Sequence, residues 1–353
     1  MTTITLDDAR EALDAYGGLA EVTHPYKGGN HEFRVEPGDV PQLVLKLGGE
    51  DYTLAKSAAY SAIARLPGGS ETMAERWPLG LLNDALNFFF DHRDGDFKML
   101  VDGSGAVRQF VKPSTLLFNP TTVLDNMADA MGRHGGKPNV VVKDFVHSLE
   151  ETRFSVTVPH GMSERFIDAR PGDTTLGGLY FSGSLLGKSN PELSVFTDRV
   201  LCSNGMVQSA GSMRFRAGNA DEEADGPMER MEEWLATSCL TLTGDPMDEE
   251  FARIQHLTEH TVDEDHLGNT LADIFGRFSI PAAAQAQVHE AMAEEADGTM
   301  YGIVQAITRA AQHSVNLTDP QRHSLMARAG DVAYYSQAIC NSCQRPMPAD
   351  ADG

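Results

Sequence analysis

His256, Glu259 and His260 form an H-x-x-E-H string. On a helix the two imidazoles lie one turn apart on one face, which suits a metal ion, and the glutamate could act as general base of a zinc-dependent hydrolase. Such a string also arises readily in an acidic helical stretch, where two ordinary histidines on an exposed helix are the simpler reading. Cys340-Asn-Ser-Cys343 is one half of a structural zinc knuckle, which His256 and His260, or else Cys239 or His323, could complete. The plainer alternative is two reduced cysteines near the C-terminal tail. Beyond that structural zinc no cofactor is expected, because the chain has no glycine-rich dinucleotide loop, no phosphate loop ending in GK[ST] and no G-x-S-x-G elbow.

Arg199-Val-Leu-Cys202-Ser-Asn204-Gly205 offers a cysteine at a strand end. A nucleophilic thiolate needs a base and an electropositive pocket, for which His160 is a candidate. A buried cysteine, a tight turn at Asn204-Gly205 and an Arg199 paired with a nearby acid explain the string as well. The surrounding stretch interleaves Arg153, Arg165, Arg170, Lys188, Arg199, Arg214 and Arg216 with aromatics, of which Phe215 sits in the densest patch. Cations and rings on a sheet can hold a single strand by phosphate pairing and base stacking, so Arg153, Lys188, Arg199, Arg214, Arg216 and Phe215 are the candidate nucleic-acid-binding residues. The competing reading puts the rings in the sheet core and the arginines at its solvated edge.

These residues must be placed by an α+β chain: a mixed α/β N-terminal region, a central mostly antiparallel sheet and a helical C-terminal region. Helices are expected over 6–16, 54–66, 78–90 and 120–132, strands within 31–47, and a hairpin over 97–111 about Asp102-Gly103-Ser104-Gly105. The 78–90 helix is apolar on most of its surface and is expected to be buried. The regions are 1–138, mixed; 139–216, β-rich; 217–227, an acidic linker; 228–345, helical; and 346–353, a frayed tail.

The chain has 353 residues and a net charge of -23. Residues 217–300 hold 20 acids against 3 bases, whereas 153–216 hold 5 acids against 7 bases. A uniformly acidic chain would be a poor ligand for a phosphate backbone. Here the sheet region is weakly basic, and the acidic stretch is either a solvated helical face or a partner-binding surface. No apolar run reaches the roughly 18 residues of a membrane span, the N-terminus lacks the pattern of a signal peptide, and few cysteines fit a reducing compartment.

GLYFSGSLLGKSNPELSVFTDRVLCSNGMV at 178–207 resembles the signature of a phage and plasmid protein family known as domain of unknown function 932. There a strand with S-x-x-x-G precedes a segment ending in R-[LV]-[VL]-C-x-N-G. Ser182 to Gly187, with one extra residue, and Arg199, Cys202, Asn204 and Gly205 fill those positions. YTLAKSAAYSAIARL at 52–66, MYGIVQAITRAAQHS at 300–314 and AGDVA at 329–333 are similar to flanking helices of phage relatives. The resemblance implies a phage or mobile-element protein in the host cell cytoplasm, without an assignable catalytic mechanism. The leading expectation is a role in nucleic-acid metabolism, binding or annealing single-stranded DNA without covalent chemistry, as a homo-oligomer and away from membranes. The alternatives are a host-takeover or anti-defence protein that binds a host or phage protein through the acidic helices, and the zinc-dependent hydrolase.

Overall fold

The computed structural model describes residues 3–14, 18–26, 30–38, 41–64, 69–113, 115, 117–159, 161–163, 166–170, 173–199, 204–207, 213–214, 227–295, 298–314 and 317–336. Its elements run β1 (Thr3–Thr5), α1 (Leu6–Asp14), β2 (Ala20–Pro25), β3 (His31–Glu36), β4 (Gln42–Leu47), β5 (Glu50–Leu54), α2 (Lys56–Ala64), α3 (Glu71–Ala74), α4 (Leu79–His92), β6 (Asp96–Val101), β7 (Ala106–Val111) and α5 (Pro120–Gly132). There follow β8 (Val141–His147), β9 (Thr152–Thr157), β10 (Phe166–Arg170), β11 (Asp173–Gly183), β12 (Glu192–Arg199), β13 (Asn204–Val207) and β14 (Met213–Arg214). The chain then turns helical: α6 (Pro227–Leu242), α7 (Asp245–Glu259), α8 (Glu264–Arg277), α9 (Ala282–Glu295), α10 (Met300–His313) and α11 (Asp319–Tyr334). The α+β class and the passage from antiparallel sheets to C-terminal helices are as the sequence predicts.

The first sheet has the order β2-β6-β7-β5-β4-β3, antiparallel except for the parallel β5/β7 pair. Its β6–β7 turn is built by Asp102, whose carboxylate accepts from Ser104 N–H (2.9 Å), Ser104 Oγ (2.6 Å) and Ala106 N–H (3.1 Å) while Gly105 takes φ 81°. Burial alone would raise that carboxyl, but the hydrogen bonds from Ser104, Ala106 and Arg108 outweigh it and hold it at about 2. Helix α4 buries Leu82, Leu86 and Phe90, spaced one turn apart, against Phe33, Phe97 and Phe110. The helix is not buried all round: Leu81 and Phe88 on its other side are 47% and 67% exposed. The same helix closes the sheet edge, since Asn87 Oδ1 accepts from Phe33 N–H (2.8 Å) and Asn87 Nδ2 donates to Phe33 O (2.7 Å).

The second sheet has the order β1-β8-β9-β11-β12-β13, with β10 also on β11 and β14 also on β12, and every pair is antiparallel. Phe154, Val156, Leu179, Phe181, Leu193 and Val195 point to one face and form a core with α1, α5, α6 and α7. At Gly177 a Cβ would come 2.6 Å from Met247 Sδ and 2.8 Å from Phe251 Cζ, so a larger residue would require those two side chains on α7 to shift. The N-terminal β1 and α1 and the later α5 belong with this sheet. The first sheet, 20–111, is therefore inserted between them, and the two sheets meet at Leu100, Val111 and Leu186. The C-terminal helices pack about α10, whose Tyr301, Ile303, Val304, Ile307 and Ala311 are buried.

Candidate functional site

Three of the candidate cations are paired with acids. Arg153 on β9 is buried and donates to Glu151 Oε1 (2.7 Å). Lys188, beyond β11, pairs with Glu150 Oε1 (3.0 Å). Arg199 on β12 is buried, donates from Nε to Asp173 Oδ1 (2.6 Å), and lies 5.7 Å from the centre of the Tyr301 ring. A guanidinium taken out of water needs a carboxylate partner, which Arg153 and Arg199 have, whereas Lys188 forms its pair at the exposed surface. Arg214 lies on β14 in register with Glu192, while Phe215 and Arg216 fall outside the described residues.

The family-like string maps onto backbone geometry. Ser182 is in register with Arg153 on one side and Glu192 on the other. Gly187 has φ 66°, and a Cβ there would meet Thr115 Cγ2 at 2.7 Å, so conformation and space both require glycine. Asn204 and Gly205 are not a tight turn: they lie in β13, opposite Arg199 and Asp198. Cys202 and His160 fall outside the described residues.

The H-x-x-E-H string lies at the C-terminal end of α7. Helix α7 ends at Glu259, and His260 is its C-cap at φ -86°, ψ 93°. From there the chain bridges to the start of α10, with Met300 N–H donating to His260 O (2.9 Å). The His260 N–H still donates to His256 O (3.2 Å), so the two histidines stay one turn apart, and the His260 ring is buried with the His256 ring centre 6.3 Å away. Among the described residues no group of three or more His, Cys, Asp or Glu is arranged to hold a metal ion. Cys340 and Cys343 lie outside them, and Cys239 is buried, which pushes its thiol up to about 12.

A cluster that sequence reading missed lies on the polar face of the second sheet. The register aligns Lys143 with Ser155, Ser155 with Tyr180 and Tyr180 with Ser194. Lys143 Nζ forms an ion pair with Asp198 Oδ2. Asp144 sits where β8 bulges against β9, at φ 53°. Burial, and then the charge of Asp198, push its carboxyl up to about 6. Burial also raises the Asp198 carboxyl, with Lys143 opposing, and raises the Tyr180 phenol. Asp144 Oδ2 and Asp198 Oδ1 are both buried without a hydrogen-bond partner. Two carboxylates so placed resist ionising together, so Asp144 holds its proton to about pH 6. The only sequence signal was Lys-Asp inside the run VVVKDFV; the bulge that turns Asp144 inward has no signature in residue type.

The acids of the helical region behave differently. Glu232 and Glu233 on α6, Asp245, Asp248 and Glu249 on α7, Asp263, Glu264, Asp265 and Asp273 at α8, and Glu290 and Glu294 on α9 face solvent. Among the described acids of this region Glu250 turns inward, where burial pushes it up to about 7 against the opposing pull of Arg253. Among the described residues no helix is long and apolar enough to cross a membrane. No family model, curated protein or solved structure matches the chain.

Proposed function

We propose that the chain is a non-catalytic binding protein of a phage or mobile element that engages a host or phage protein with a basic surface through the outer faces of α6–α9. The observation that carries this reading is the contrast in charge placement. The acids of the helices are presented to solvent, whereas Arg153, Lys188 and Arg199 of the sheet are committed to internal or local partners. A dense acidic surface speeds and selects encounters with basic partners and is sensitive to salt. The test is affinity capture from host lysate with the full chain and with a variant neutralised at Glu232, Glu233, Asp248 and Glu249 by Gln or Asn. A partner retained by the native chain at about 0.15 M salt and lost by the variant supports the proposal. Identical captured sets would overturn it.

Single-strand binding in nucleic-acid metabolism, by a homo-oligomer, is the second reading. It is supported by Arg214 on the last strand beside β12, next in sequence to Phe215 and Arg216, and by the resemblance of the 178–207 string. Titration of labelled single-stranded DNA at low salt separates the two, because the acidic-face variant should bind DNA no worse than the native chain.

A further inference from the structure

We propose that the cleft where the two sheets meet is a binding site for a small organic cation with an apolar body. The cleft encloses ≈ 320 Å³, within the range of small-molecule sites. It is bounded by the end of α1, the start of β2, the start of α5, the end of β8 and the segment after β11. Leu13, Phe118 and Leu185 are buried and form its apolar floor.

The polar groups around that floor decide the sign of the ligand. The α5 N-terminus, which would otherwise favour an anion, is already capped: Asn119 Oδ1 accepts from Thr121 N–H (2.9 Å) and Thr122 N–H (3.4 Å). Glu21 is matched by Lys98 at 2.6 Å. Asp14 is exposed at the rim, and among the described residues its Oδ1 accepts a hydroxyl hydrogen bond from Thr121 Oγ1 at 2.7 Å. That bond orients the carboxylate without neutralising it. His147 offers a half-buried imidazole, with Nδ1 2.9 Å from Thr152 Oγ1, and burial lowers its pKa so that it adds no positive charge near neutral pH. A cleft with an apolar floor and one uncompensated carboxylate at its mouth selects an amine or amidine carried on a hydrophobic group, and disfavours the corresponding acid.

The experiment compares three probes of one shape, 4-phenylbutylamine, 4-phenylbutan-1-ol and 4-phenylbutyrate, by calorimetric or NMR titration of the full chain. The amine is expected to bind saturably, about tenfold or more tighter than the carboxylate. Asp14→Asn, which keeps an acceptor for the Thr121 hydroxyl, should weaken the amine about tenfold and leave the alcohol unchanged. Leu117→Trp, at a half-buried lining position, should block all three by filling the cleft. A thermal melt of each variant confirms that it is folded. Absence of saturable binding by all three probes up to about 10 mM, or an amine affinity untouched by Asp14→Asn, would overturn the proposal.

Discussion

Asp144 is the residue whose behaviour the structure most changes. An acid in a strand usually reads as a solvent-facing charge, yet at the bulge this one is half-buried, its Oδ2 shielded from water and its charge coupled to Asp198 and Lys143. Its carboxyl rises from 3.8 to about 6, so the folded chain holds a proton that the unfolded chain releases. Stability from this group is therefore fully present below about pH 4 and is lost as pH rises towards 6, the reverse of a salt-bridged aspartate. Asp144→Asn keeps the shape and tolerates a left-handed backbone, but removes the ionisation. At pH 7 the variant should be more stable than the native chain, by on the order of 2 kcal/mol, and the difference should vanish near pH 4. Urea denaturation at several pH values measures this; a variant that loses stability at pH 7 would mean that Asp144 is held as a functional carboxylate.

At the scale of elements, legibility followed the range of the interactions that define them. The β6–β7 hairpin was readable because Asp102-Gly103-Ser104-Gly105 closes on itself through neighbouring atoms. Helix α5 was readable from Pro120 and Thr121 at its start, though its cap, Asn119, was not. The bulge in β8, the swing of His260 out of α7 and the parallel β5/β7 pair were not, because each is decided by a partner distant in sequence. Helix α4 shows the limit within one element: its composition is apolar nearly all round, and only the sheet beneath selects Leu82, Leu86 and Phe90 as the buried stripe. Leu86→Ala should cost about 2–5 kcal/mol, whereas Phe88→Gln on the exposed side should change stability by no more than about 0.5 kcal/mol. Denaturant midpoints for the two variants check the assignment, and similar losses at both positions would show that the outer face is covered in solution.

For the molecule as a whole, the net charge of -23 is borne on an uneven surface. The two sheets hold most of their described cations in local ion pairs, such as Lys98–Glu21, Arg108–Asp102 and Lys143–Asp198. The outer faces of α6–α9 carry exposed acids, of which Glu294 is paired with Arg309, while Arg253 is spent on the buried Glu250. Which faces carry the excess could not be read from composition, because Glu250 and its neighbour Glu249 look alike in sequence but have opposite surroundings. Two electrostatic terms then compete as salt is added. Screening weakens the ion pairs, which lowers stability, and weakens repulsion among the acids, which raises it. Exposed pairs contribute little and buried pairs are poorly screened, so relief of repulsion should dominate. Raising NaCl from about 0.02 M to about 0.3 M is expected to raise Tm by about 2–4 °C. The acidic-face variant neutralised at four positions should start from a higher Tm and respond less. A melting temperature that falls with salt in the native chain would show instead that ion pairing outweighs repulsion among the helical acids, and would count against partner binding through this exposed acidic face.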